Sequence, residues 1–291
     1  MSAGTMPGML KYRLILGPVM IAALLGVLWL DQWAEAADHA RAGLVLLVVM
    51  LLPGIRLASR EIEKLLVAKG VPTDFRVLFL SGVLGCVGVY AAVGSDEVLG
   101  GSPAMAVVML AVVAVFIALL ARCWRRNTEG TMLAASAAGF AFIYLGLMPG
   151  AMLAIRAEHS VWVLAAVLLV TKACDIGAFF TGTAIGRHKL IPWLSPGKTW
   201  EGLLGGVVLA AVVSLATLTP LAGLHWAYAL VVGVMLGLVG QAGDLIASML
   251  KRDAAVKDSG ASVPGFGGVL DVIDSPLLAA PVGYWLLALA G

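Results

Sequence analysis

A chain of 291 residues that is 61% hydrophobic and 12% charged, with mean hydropathy +1.01, has too few charges to cover a soluble globule, where roughly a quarter of residues are charged. It is therefore read as an integral membrane protein. The net charge of +2 is too small a bias to imply a nucleic-acid partner, so the placement of the charges matters more than their sum.

A helix of roughly 20 apolar residues crosses the hydrocarbon core. Such segments lie near 12–30, 41–58, 75–93, 103–121, 131–154, 160–181, 200–219, 225–250 and 268–290. They predict an all-α polytopic membrane protein with about nine transmembrane helices. The first segment leads through "LDQWAEAADHARAG" straight into the second, which favours a retained helix over a signal peptide. Residues 1–155 read as an N-terminal set of spans, and 156–291 as the region that carries the chemistry, with polar loops at 182–200 and 251–267. Of the 19 Lys and Arg residues, Arg41 and Arg156 fall on one side, Lys172 lies within a span, and the others, beginning with Lys11 and Arg13, fall at the N-terminus or at alternate connections. The positive-inside rule then puts the N-terminus and those connections in the cytoplasm, and nine crossings would put the C-terminus outside. Cys86, Cys123 and Cys174 form no CxxC pair and read as small buried hydrophobes.

The last span opens "GGVLDVIDSPLL", with two carboxylates where each would cost about 2.5–3.5 kcal/mol at the centre of a membrane helix. Lys172 and Asp175 stand toward the same end of the sixth span, and Asp244 in "GQAGDLIASMLKR" toward that end of the eighth. Asp271 and Asp274 are three residues apart, on neighbouring positions of one helix face, so both can approach one cation. Taken singly, each Asp could instead cap a helix or pair with a basic residue. The convergence of Asp244, Asp271 and Asp274 favours a hard, oxygen-liganded ion of the magnesium type over zinc.

Two polar loops supply the opposite charge. "SMLKRDAAVKDSGASVPGFGG" joins Lys251, Arg252 and Lys257 to Gly265, Gly267 and Gly268, and "GTAIGRHKLIPWLSPGKTWEG" carries Arg187, His188, Lys189, Ser195 and Lys198. Glycines let backbone N–H groups approach an anion, and the cations neutralise phosphate oxygens. The "GKT" at 197–199 is not the tail of a P-loop, because Pro192 stands where that motif needs glycine. Solvated basic turns facing acidic lipid heads are the plainer reading of both loops.

"SMLKRDAAVKDSGASVPGFGGVLDVIDS" resembles the signature of the phosphatidate cytidylyltransferases, also called CDP-diacylglycerol synthases. The matching positions are Ser248, Lys251, Arg252, Lys257, Asp258, Pro264, Gly265, Gly267, Gly268, Asp271 and Asp274. The upstream stretch resembles the family at Asp175, Gly177, Ser195, Pro196, Lys198, Thr199 and Glu201. Two positions depart: Phe266 replaces the histidine of a Gly-His-Gly-Gly turn, and Val272 replaces an arginine between the two aspartates. Both changes remove donors that would face phosphate, while the acidic set is intact.

The resemblance implies transfer of a cytidylyl group from CTP to phosphatidate, with release of pyrophosphate, in a bacterial plasma membrane and as a homodimer. It implies Mg2+, and leaves open a second, monovalent cation. Asp244, Asp271 and Asp274 are then expected to hold the metal and, with Lys257 and Asp258, to form the catalytic set. Lys198, Ser195, Thr199, Lys251, Arg252, Ser248 and Asp175, with the backbone at Gly267 and Gly268, are expected to bind substrate. Other readings are a CTP-dependent lipid-alcohol kinase of the polyprenol or phytol type, an ion-coupled transporter, and a non-catalytic paralogue motivated by Phe266 and Val272. No repeat of two broken helices supports the transporter.

Overall fold

The computed structural model describes residues 6–93, 95 and 102–290, with side chains from residue 16 onward, so the side chains of Lys11 and Arg13 lie outside the described set. Helix α1 (Met6–Ala36) is followed by α2 (Leu44–Val49), which passes through a π turn (Met50–Ile55) into α3 (Arg56–Ala68). Helices α4 (Phe75–Ala92) and α5 (Pro103–Trp124) come next. Then α6 (Thr131–Ala141) runs through a second π turn (Phe142–Leu147) into α7 (Met148–Glu158). After α8 (Val161–Ile185), an antiparallel hairpin of β1 (Lys189–Ile191) and β2 (Ser195–Thr199) leads to α9 (Trp200–Ala222), α10 (Trp226–Asp253) and α11 (Val269–Ala288). The hairpin is the one paired sheet among the described residues of a helical protein.

Helix boundaries follow local chemistry. Asp74 accepts from Arg76 N at 2.7 Å and starts α4, and Ser102 accepts from Met105 N at 3.3 Å ahead of Pro103 and starts α5. Both are side-chain caps on otherwise unpaired first-turn donors. The π turns occur where proline removes an N–H and crowds the preceding turn: Pro53 lies inside one and Pro149 just beyond the other.

Among the described residues, eight helices are long and apolar enough to cross a membrane: Leu16–Ala36, Phe75–Ala92, Pro103–Trp124, Thr131–Glu158 and α8 to α11. They coincide with every expected span except 41–58. The run 44–68 falls out because each of its 18-residue windows contains Arg56, Arg60 and Glu61. Its ends are nonetheless pinned at opposite ends of the bundle. Asp31 accepts from Gly43 N (3.1 Å) and Val45 N (3.0 Å) beside Arg156, near where Tyr284 of α11 donates to Glu158 at 2.9 Å. Glu61 meets the other end of α11, at Val269 N (2.9 Å) and Leu270 N (3.0 Å).

Glycines at 202, 206 and 233 bring the helices together. A Cβ there would stand 2.8 Å from Ala178 O, 2.5 Å from Cys174 O and 2.6 Å from Ala211 Cα, so α8, α9 and α10 touch backbone to backbone. This close packing fixes the spacing of the polar residues that α8 and α10 carry. Cys86 and Cys174 are buried as expected, whereas Cys123 is exposed.

At the far end of the bundle, Arg156 Nε pairs with Asp31 Oδ2 at 2.7 Å, with both side chains almost fully buried, and Arg156 also pairs with Glu35. Removing one partner of a buried ion pair leaves an uncompensated charge. Arg156→Met is expected to cost about 3–5 kcal/mol of stability on that ground. Thermal unfolding in detergent measures the loss, and a melting curve that matches the parent would show that the pair does not hold α1 against α7.

Candidate active site

Two polar clusters occupy the end of the bundle where α8 finishes and α11 begins. In the first, α8 places Lys172 and Asp175 one turn apart, with Lys172 Nζ 3.2 Å from Asp175 Oδ2. Asp175 accepts from Gln241 Nε2 at 2.9 Å and from Ser275 Oγ at 2.9 Å. Gln241 in turn accepts from Lys198 Nζ at 2.9 Å, and the same ammonium pairs with Asp244 Oδ2 at 2.7 Å. Asp274, buried beside Ser275, accepts from its N–H at 2.7 Å and lies 3.9 Å from Lys172 Nζ. Asp244 is close enough to act on Asp274 electrostatically. The hairpin, α8, α10 and α11 are thus joined by one network in which Lys172 and Lys198 face Asp175, Asp244 and Asp274.

Lys198 owes its place to the hairpin, which Glu201 holds closed: its carboxylate accepts from the backbone N–H groups of Arg187 and His188, each at 3.2 Å, and lies 2.6 Å from His188 Nδ1. Thr199 is buried, and its hydroxyl accepts from Gly202 N at 3.1 Å, so that oxygen is taken up in starting α9.

The second cluster surrounds Asp271. Its Oδ1 pairs with Lys251 Nζ at 2.7 Å, and its Oδ2 accepts from Ser259 N at 2.9 Å and Gly268 N at 2.8 Å. Ser259 Oγ lies 2.9 Å from both Asp271 and Glu61 and has a single proton to give them. Glu61, fully buried on α3, also accepts from Ser262 Oγ at 2.7 Å and from the first-turn N–H groups of Val269 and Leu270. Two carboxylates therefore sit at the positive end of α11 and tie the preceding loop to it. Gly267 has φ +99°, and a Cβ there would come within 2.6 Å of Asp271 Oδ2, so the turn requires glycine.

In the structure Asp271 takes its partners from Lys251 and the loop, whereas Asp244 and Asp274 face Lys198 and Lys172. Among the described residues no group of three His, Cys, Asp or Glu side chains is arranged to hold a metal ion. Asp244 and Asp274 do share one cluster, and Asp274 forms its hydrogen bonds through Oδ1 alone among the described residues. Magnesium commonly takes one or two carboxylates and fills the remaining positions with water and substrate phosphate. Asp244 and Asp274 are the carboxylates of this cluster that could hold an ion of that kind.

Arg252, in the last turn of α10, and Lys257 and Asp258, on the loop beyond it, stand exposed, and Ser195 and Ser248 are half-buried. Phe266 lies toward α1, where a Cβ on Gly17 would sit 3.9 Å from its ring. Val272 is two residues from Asp274, roughly 200° around α11 at 3.6 residues per turn, so the two do not share a face. A cavity of about 140 Å³ between the second π turn, α10 and α11 is walled by Phe140, Ile143, Met148, Ile246 and Leu278, with Asp274 in its lining.

Gln241, Ser275, Glu61 and Ser259 were not singled out in the sequence. Gln241 precedes Asp244 by three residues on the same helix face. Glu61 falls on the apolar stripe of Ala58, Ile62 and Leu65, where a carboxylate needs partners.

Comparison with known proteins places this geometry in context. The chain is 43% identical over 120 residues to the uncharacterized protein YnbB of Escherichia coli K12, covering 41% of this chain and 40% of that one. It is 46% identical over 124 residues to the phosphatidate cytidylyltransferase of Bacillus subtilis 168, covering 42% and 45%. It is 35% identical over 173 residues to that of Haemophilus influenzae, covering 55% and 58%. The chain thus spans about half the length of the curated relatives it matches. Since the family profile matches from residue 11 to residue 290, almost end to end, this chain belongs to the cytidylyltransferase family.

Proposed function

We propose that the protein transfers a cytidylyl group from CTP to phosphatidate, yielding CDP-diacylglycerol and pyrophosphate. The observation that carries this reading is the Lys198–Asp244–Gln241–Asp175 network, which lies at one end of the bundle and reaches Asp274 in the lining of an apolar cavity. Such a place is open to a water-borne triphosphate and to a lipid at once. The relatives named phosphatidate cytidylyltransferases support the same choice of substrates.

The chemical difficulty is electrostatic. A phosphomonoester with a second pKa of about 6 is already largely dianionic at neutral pH, so the nucleophile needs no protein base. It must, however, approach a second anion, and positive charge has to be waiting where the pyrophosphate departs. Lys198 and Lys251 stand in the clusters, and exposed Arg252 at the end of α10 and Lys257 on the loop beyond it extend the positive field toward the triphosphate. Magnesium, held by Asp244 and Asp274 together with phosphate oxygens and water, would supply charge that the lysines alone do not. Thr199 and Asp271 serve by holding the hairpin and the loop in place. The reading extends to a homodimer in a bacterial plasma membrane, with the N-terminus and these loops in the cytoplasm, the side that supplies CTP.

Purified protein in detergent, given labelled CTP, Mg2+ and phosphatidate, is expected to form CDP-diacylglycerol and pyrophosphate in equal amounts. Lys198→Met is expected to lower kcat/KM by about 100-fold, the scale of losing one charge-stabilising group. CDP and a lipid phosphate formed from a lipid alcohol would replace this reading with a kinase. Absence of any nucleotide turnover would remove it.

A further inference from the structure

Lys172 is a charged residue inside a spanning helix, a placement that calls for a reason. Asp175 is only part of one, because it takes a single hydrogen bond from Lys172 and also accepts from Gln241 and Ser275. An ammonium has three N–H donors. That of Lys172 donates to Asp175 at 3.2 Å, while Asp274 at 3.9 Å is beyond hydrogen-bond reach, so two donors stay uncommitted among the described residues. Its side chain is 38% exposed, against 18% for Lys198 and 12% for Lys251, making it the most accessible of the three lysines in the two clusters. Its surroundings on α8 are apolar and outward-facing. Leu169, Ile176 and Phe179 recur at helical spacing around it and are 52%, 52% and 67% exposed, so the charge interrupts a stripe that would otherwise face acyl chains.

We propose that Lys172 is the lipid-side phosphate contact of this site: its ammonium receives the phosphomonoester headgroup of a lipid lying along the exposed face of α8. The assignment rests on the cytidylyl-transfer reading for the reaction, but the binding event it describes does not require turnover. A lysine suits the task because it can keep one donor on Asp175, which aims it, and give two to phosphate oxygens. Lys198 stands on the hairpin side of the cluster, so the two lysines divide the work between the membrane-borne and water-borne anions.

The test compares Lys172→Met, Lys172→Gln and Lys172→Arg in mixed micelles. Expected are a rise of about tenfold or more in the KM for phosphatidate with the Met and Gln variants, the size of one lost charged hydrogen bond, a KM for CTP within about twofold of the parent, and substantial rescue by Arg. A parallel measurement follows thermal stabilisation by short-chain phosphatidate relative to the matching diacylglycerol. The parent should gain selectively from the phosphate, the Met and Gln variants should not, and this arm reads out even if the parent forms no CDP-diacylglycerol. Unchanged phosphatidate KM and unchanged selective stabilisation in folded variants would overturn the assignment, as would equal increases in both KM values. A parent that is selectively stabilised but inactive would instead count against the reaction.

Discussion

Asp271→Asn is expected to cost about 3–5 kcal/mol of stability and to abolish turnover, the penalty of breaking a buried ion pair on one side. Asp271 and Lys251 side chains are 9% and 12% exposed, so water does little to shield the ammonium once its partner is neutral. Hydrogen bonding compounds the loss. Oδ1 faces Lys251 and Oδ2 faces the N–H groups of Ser259 and Gly268, so every position around the carboxylate is a donor, and an amide must turn its own NH2 toward one of them. Thermal unfolding measured without divalent ions separates this bracing role from metal ligation. An Asn variant that melts like the parent but fails to turn over would return Asp271 to the reaction centre.

Glu61→Ala is expected to lower stability by a similar amount, about 3–5 kcal/mol, because it strips a buried network of its acceptor. Two hydroxyls and two backbone N–H groups point at this one carboxylate. The hydroxyls can rotate toward other acceptors, but the N–H groups of Val269 and Leu270 cannot, and each unsatisfied donor costs about 1–3 kcal/mol. Glu61→Gln keeps one oxygen and is expected to lose roughly half as much. Hydrogen exchange reads the effect locally: the amides of Val269 and Leu270 should exchange faster in the Ala variant while those of α8 stay protected. Unaltered exchange at these two positions would show that Glu61 does not hold the loop.

Much of the architecture is legible in the residues because membrane spans announce themselves by composition. The expected segments from 75 onward match the helices to within a few residues, since apolar length sets their extent, and Asp74 and Ser102 cap the starts of α4 and α5. The run 44–68 is harder, for its apolar stretch ends at Pro53 and merges into the charged face of α3. Which acids belong together is harder still. Helical spacing places Asp271 and Asp274 on adjacent positions, and in the fold Lys251 from α10 draws one away while Lys172 from α8 faces the other. Gln241 and Asp175 are 66 residues apart, and their contact depends on close packing between helices that no local pattern encodes. Phe266 and Val272 stand out against the family signature. Phe266 lies toward α1, and Val272 lies off the Asp274 face.

The bond from Glu61 to the loop and to α11 spans about two hundred positions of chain. Any recombination that exchanges residues 156–291 for those of a homologue separates the signature loop from the side chain that shapes it. Inheritance of a working C-terminal half therefore depends on co-transmission of a compatible third helix, and a chimaera should be spliced ahead of residue 56 rather than at the middle of the gene.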